Sequence, residues 1–173
     1  LIEKYSRLLK GMSEITKGHP LCWADLGCGS GVFTEALAGF LPEGSYIKAV
    51  DKVEQQLPKI MGNSVNINFE KLDFEKESLS FENLDGIMMA NSLHFINDKR
   101  SLIMKLEQCC KQNPTFLIVE YEHSIPNPWE PYPITFQKLK NIFADYNYHH
   151  IEKIGELKSN YGGMMYACRI SKF

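Results

Sequence analysis

The sequence predicts a three-layer α/β fold: a mostly parallel, seven-stranded sheet with helices on both faces and a C-terminal antiparallel hairpin. Three observations carry that prediction. Apolar strand-like runs alternate with stretches of helical apolar spacing through the first two-thirds of the chain, the order that builds a parallel sheet. The first of these runs, LCWADLG at 21–27, leads directly into a glycine cluster that opens a helix. The last segment, 149–173, loses the helical period and reads as two strands around a Gly-Gly turn.

The elements follow in order. Residues 2–9 space their apolar side chains as a short amphipathic helix, ended by Gly11. The run at 21–27 is a buried strand. A helix covers 31–41, with Val32, Phe33, Ala36, Leu37 and Phe40 on one face, and Pro42 and Gly44 stop it. YIKAVD (46–51) is the second strand. A weaker helical stretch covers 53–61, where Pro58 marks a kink or an early end. VNINFEKLD (65–73) is the third strand and DGIMMANSL (85–93) the fourth. Asp98 begins a helix over 98–112, which turns Leu102, Ile103, Leu106, Cys109 and Cys110 inward. TFLIVEYE (115–122) is the fifth strand. A proline-rich loop, HSIPNPWEPYP (123–133), leads to a helix over 134–146 that buries Phe136, Leu139, Phe143 and Tyr146. Strands near 149–158 and 164–171 close the chain.

At 173 residues and 44% hydrophobic composition, the chain is expected to be one domain, 1–173, with an ordinary core. Residues 1–20 read as a helical lead-in; without an initiator methionine, they suggest a truncated start. The net charge of −2 and the lack of a Lys/Arg block argue against a nucleic-acid partner. No apolar run is long enough to span a membrane and no signal peptide is visible, which predicts a cytoplasmic protein with no membrane partner. The five cysteines are odd in number and form no CxxC pair, so they read as reduced, mostly buried thiols.

In a sheet of this kind, ligands bind beyond the carboxyl ends of the strands, where the strand order reverses. There Gly27, Gly29 and Gly31 let the backbone approach a ligand, and the helix start offers unpaired N–H groups. The second strand ends in Asp51, an acidic group placed to accept hydrogen bonds from both hydroxyls of a ribose. The two features together suit an adenosine-containing cofactor. A dinucleotide fingerprint needs a sixth-place glycine, and counting from Gly27 that place holds Val32, which argues against an NAD-linked oxidoreductase.

DLGCGSG (25–31) resembles the first motif of the class I S-adenosylmethionine-dependent methyltransferases, and AVD (49–51) resembles their second. LDFE (72–75) is similar to the third motif, and DGIMMANSLHFI (85–96) to the strand and loop under the methionine half of the cofactor. The likeness covers nearly the whole chain and implies a Rossmann-like fold and S-adenosylmethionine as cofactor. It also implies roles. Gly27 and Gly29 would lie against the methionine end, Gly31 would complete the loop, and Asp25 would help orient the amino group. Asp51 would hold the ribose, with Lys52 and Val53 flanking the adenine. Asp73, with the Phe74 backbone, would meet the adenine edge, and Asn91 and Ser92 would present backbone to the methionyl group. The short 74–83 segment departs from the family in leaving little room for a helix.

Methyl transfer from a sulfonium is an in-line displacement, so positioning supplies much of the acceleration. Candidate bases sit where strands four and five end: His94 and His123, with Glu120 as a lesser third candidate. Trp129 and Tyr132 are expected to wall an acceptor pocket, with Phe136 and Tyr161 as lesser contributors. The stretch ANSLHF lacks the Asn/Asp-Pro-Pro-aromatic motif of amino-methylating nucleic-acid enzymes, no Pro-Cys follows the fourth strand, and no carboxylate cluster marks a metal. A small-molecule acceptor is the expectation that remains. The alternatives are an RNA or protein methyltransferase and a nonenzymatic S-adenosylmethionine-binding module.

Overall fold

A computed structural model describes residues 1–14 and 18–173. The first half of the chain runs α1 (Ile2–Leu8), β1 (Cys22–Leu26), α2 (Val32–Ala38), β2 (Tyr46–Asp51), β3 (Ile60–Met61), β4 (Val65–Lys71) and β5 (Leu84–Ala90). The second half adds α3 (Lys99–Glu107), β6 (Cys110–Tyr121), α4 (Phe136–Ala144), β7 (His150–Lys158) and β8 (Met164–Ser171). Single 3-10 turns lie at Lys10–Glu14 and Leu93–Phe95. Of the lead-in expected over 1–20, residues 15–17 lie outside the described residues.

All eight strands join one sheet in the order β3-β4-β2-β1-β5-β6-β8-β7. Strands β4, β2, β1, β5 and β6 are parallel, and β8 and β7 close the sheet antiparallel. The chain builds outward from β1 to β2 and β4, then returns to the other side of β1 for β5 and β6. The order therefore reverses between β1 and β5, which opens a crevice at their carboxyl ends.

Alternation along the central strands sends their side chains into two cores. Ala24, Ile87 and Phe116 pack with Leu102, Ile103 and Leu106 of α3 and Leu139 and Phe143 of α4. Trp23, Met88 and Leu117 pack with Leu8 of α1 and Ala36 and Leu37 of α2. Helices thus cover both faces, and the central strands read as near-continuous apolar runs because both of their sides are buried. Among the described residues, no helix is long and apolar enough to cross a membrane.

Two sequence expectations are corrected. The 53–61 stretch forms no helix. Val53 and Ile60 are exposed, Pro58 supplies no N–H, and Ile60–Met61 instead pairs antiparallel with Val65 and Asn66 as an eighth strand. The helix expected to reach residue 112 ends at Glu107, and Cys110 already begins β6. There the buried Cys109, between helix and strand, and the half-buried Cys110 at the strand start mimic a continuing helical face.

One glycine shows how α1 is seated. A Cβ at Gly155, where β7 shifts register against β8, would lie 2.1 Å from the Leu8 carbonyl oxygen. Because that contact is with backbone, Gly155→Ala is expected to cost about 1–3 kcal/mol, the range for overpacking. A urea titration reads this as a lower midpoint with an unchanged slope.

Candidate active site

The glycine loop hangs from the end of β2. The N–H groups of Gly27 and Cys28 both donate to the Val50 carbonyl, at 2.8 and 2.9 Å. The Asp51 carboxylate then bridges two segments: Oδ2 accepts from the Gly29 N–H and Oδ1 from the Val53 N–H, each at 2.9 Å. On the other side, Ser92 Oγ donates to the Leu26 carbonyl at 2.6 Å and ties the end of β5 to the end of β1.

The three glycines do different work. Gly27 has φ +82, and a Cβ there would sit 2.5 Å from Ser92 Cβ, so the absence of a side chain lets β1 and the post-β5 loop meet. A Cβ on Gly29 would meet nothing within 4 Å, which leaves that backbone open to a ligand. A Cβ on Gly31 would instead lie 2.7 Å from Leu57 Cδ2, and the glycine, at φ +82, turns the chain into α2.

A cleft of ≈ 180 Å³ opens at this point, lined by Gly27, Asp51, Lys52, Asp73, Phe74, Asn91 and Ser92. The fold thus brings together residues from four separate strand ends. Glu75, Lys76, Phe95 and Ile96 complete the lining and were not singled out from the sequence. Glu75 and Lys76 lie one and two residues beyond Phe74, and Phe95 and Ile96 three and four beyond Ser92, on turns whose direction only the folded chain sets. Asp73 is held by the turn that replaces the missing helix: its Oδ1 accepts from the Glu75 N–H and its own N–H donates to Glu77 Oε1.

Asp25 lies beneath the loop, fully buried. Its Oδ2 accepts from Thr34 Oγ1 at 2.6 Å, whereas Oδ1 has no partner. The sequence reading overlooked Thr34, a polar residue on the buried face of α2. Asn91, held at φ +54, likewise carries a buried Oδ1 without a partner. Two orphaned acceptors beside an open backbone suit a ligand with hydrogen-bond donors, as an amino-acid ammonium group has. The chain's own groups therefore fit an adenosyl-amino-acid cofactor: a carboxylate at a strand end, an open glycine backbone and unpaired acceptors.

A second cavity of ≈ 820 Å³ adjoins the first through Asn91, which lines both. Its other walls are His94, Tyr121, Asn127, Trp129, Glu130 and Tyr161. His94 is buried, and its Nδ1 lies 2.7 Å from Glu120 Oε2. His123 is placed differently: its Nε2 is bound to Glu130, and it does not line the cavity. Tyr132 is placed apart from Trp129: its N–H donates to the His94 carbonyl, its carbonyl accepts from Lys99 Nζ, and it lines a separate cavity with Pro131, Pro133 and Lys138. Phe136 packs on the core beside Tyr166. Among the described residues, no group of three or more His, Cys, Asp or Glu is placed to hold a metal ion.

A family model described as a methyltransferase domain matches residues 24–116, from β1 into β6. The chain belongs to the methyltransferase domain family. No curated protein matches it. Solved structures share the fold at low identity. A SAM-dependent methyltransferase from Archaeoglobus fulgidus is 17% identical at a TM-score of 0.68, with 99% of this chain and 95% of that one covered. Another, from Aquifex aeolicus, is 18% identical at 0.65, with coverage of 99% and 97%. The 1,6-didemethyltoxoflavin-N1-methyltransferase of Burkholderia thailandensis, solved with 1,6-didemethyltoxoflavin and S-adenosylhomocysteine bound, is 17% identical at 0.66, with coverage of 98% and 80%.

In this methyltransferase, burial pushes the Asp25 carboxyl up to about 7; the Thr34 hydrogen bond opposes the shift and Asp51 adds to it. The folded state thus holds a proton that the unfolded chain releases near 3.8. The stability from this group is full below the unfolded value and is lost as pH rises toward 7. Asp25→Asn, neutral at every pH, is expected to flatten the stability profile across that window, as read by urea denaturation at a series of pH values.

Proposed function

We propose that this enzyme transfers the methyl group of S-adenosylmethionine, its cofactor, to a small-molecule acceptor by in-line displacement, mainly through positioning. The observation that carries this reading is the shared wall at Asn91: the cleft at the strand ends adjoins an 820 Å³ cavity walled by Tyr121, Trp129 and Tyr161. That volume and lining suit a small, planar or apolar molecule. The Burkholderia neighbour, which holds a small heterocycle beside S-adenosylhomocysteine on the same fold, supports the same reading.

In this assignment the sulfonium supplies an electrophilic methyl carbon, and the chain supplies orientation. Asp51 holds the ribose, Lys52 flanks the adenine, and Asp73 with the Phe74 backbone meets its edge. Asn91 and Ser92, with Gly27 and Gly29, take the methionine half, and Asp25 and Gly31 support the loop from below. His94 is the candidate base. His123 is not, because Glu130 occupies its Nε2. Residues 1–173 act as one domain in this reading, since a single sheet runs from β1 to β8.

Calorimetric titration with S-adenosylhomocysteine, with NADH as control, tests the cleft. Selective binding of the former is expected, followed by transfer of a labelled methyl group in an acceptor screen of small aromatic compounds. Failure to bind either would overturn the assignment. Transfer confined to RNA or protein would overturn the acceptor class.

A further inference from the structure

The pair behind the acceptor cavity has more chemistry than a lone histidine. Glu120 ends β6 with 1% of its surface exposed, and His94, on the turn after β5, has 4% exposed. One carboxylate oxygen accepts the His94 backbone N–H at 3.1 Å and the other faces the ring at Nδ1, 2.7 Å away. The two contacts fix both the turn and the ring orientation. An ionised carboxylate can only accept, so opposite one Nδ1 carries a ring proton, and a neutral ring then has its lone pair on Nε2. Among the described residues no hydrogen bond reaches Nε2, although His94 lines the cavity. Lys99 lies close enough for its charge to interact with Glu120, and it donates to the Ile96 and Tyr132 carbonyls on either side of the same turn.

The placement is not one that stability explains. A buried carboxylate is costly to desolvate, and an apolar residue of similar size commonly serves a core as well. What Glu120 adds is a single ring orientation and a single tautomer, as in other carboxylate–imidazole pairs. Among the described residues, no Lys or Arg lines the cavity to lower the acidity barrier of a bound hydroxyl or amine by charge alone.

We propose that Glu120 is a positioning residue that holds His94 with its Nε2 lone pair toward the cavity, and that the acceptor carries an O–H or N–H whose proton Nε2 takes. The inference rests on the cavity being the acceptor site. In the step, the acceptor proton moves to Nε2 and the freed lone pair forms the bond to the methyl carbon. The carbon–sulfur bond breaks with its electrons returning to sulfur, so charge and atoms balance. The acceptor class narrows accordingly to weakly acidic hydroxyls and ring or amine N–H groups.

The test is nitrogen NMR of the full chain carrying labelled histidine, saturated with S-adenosylhomocysteine and assigned with His94→Gln. His94 is expected to show a protonated Nδ1 and an unprotonated Nε2 at alkaline pH. Glu120→Gln is expected to lose that single tautomer while its affinity for S-adenosylhomocysteine stays unchanged. Phenol is expected to shift the Nε2 resonance by donating to it; anisole, the same ring without the hydroxyl, is not. A proton on Nε2 in the parent protein would overturn the proposal, as would the same response to phenol and anisole. Both readings need only the parent protein, so they stand even if Glu120→Gln does not fold. Loss of S-adenosylhomocysteine binding in the parent protein would instead bring down the cofactor site, and this inference with it.

Discussion

Gly27→Ala is expected to reduce S-adenosylhomocysteine affinity by at least about tenfold and to lower stability by about 1–3 kcal/mol, the cost of forcing extra atoms into a packed contact. Two effects combine. The backbone at Gly27 has φ +82, a region that a side chain enters only with strain, and the new Cβ would lie 2.5 Å from Ser92 Cβ. Ser92 cannot simply step aside, because its Oγ is bound to the Leu26 carbonyl at 2.6 Å and the residue is buried. The strain therefore passes to Asn91, which joins the cleft to the acceptor cavity. Gly162→Ala is the control. It has φ +93 with nothing within 4 Å of the added Cβ, so it carries the backbone strain without the collision. If the two variants bound S-adenosylhomocysteine equally well, the packing of Gly27 against Ser92 would not shape the cleft.

Asp51→Ala is expected to weaken S-adenosylhomocysteine binding by about 1.5–3 kcal/mol, roughly tenfold to 150-fold, the scale of hydrogen bonds to a charged group. The carboxylate has two duties. It holds the Gly29 and Val53 N–H groups at 2.9 Å each, and its remaining lone pairs face the cleft it lines. Alanine removes both, leaving two N–H groups without their acceptor and the glycine loop without its tie to β2. Asn at this position keeps one accepting oxygen, so Asp51→Asn is expected to fall between the parent and the alanine variant. Calorimetry on the folded variants decides, and an unchanged affinity for Asp51→Ala would remove Asp51 from the ribose position.

The cleft was more legible in the sequence than the cavity beside it, for a physical reason. Each cleft residue sits at or just after the end of a strand that the apolar runs already mark: Gly27 after β1, Asp51 at the end of β2, Asp73 after β4, Asn91 after β5. A parallel sheet necessarily gathers those ends on one edge. The acceptor cavity has no such rule. Trp129 and Tyr132 are three residues apart in one loop, yet the loop turns between them because Asn127 Oδ1 accepts from the Trp129 and Glu130 N–H groups while Tyr132 is tied to His94 and Lys99. His94 and His123 read alike in sequence. One meets a buried carboxylate 26 residues away, and the other meets a carboxylate within its own loop.

By itself the sequence determined the layered α/β architecture, the succession of its main strands along the chain, and the edge of the sheet where a nucleotide-bearing cofactor would lie. These follow from periodicity and from glycine and aspartate at strand ends, which are local properties. Only the tertiary structure decided that 53–61 yields an edge strand rather than a helix and that Tyr132 lines a cavity separate from that of Trp129. It also decided that Glu120 meets the Nδ1 of His94. Each of these depends on contacts between segments far apart in the chain, where burial and the pairing of polar groups, rather than local propensity, set the conformation.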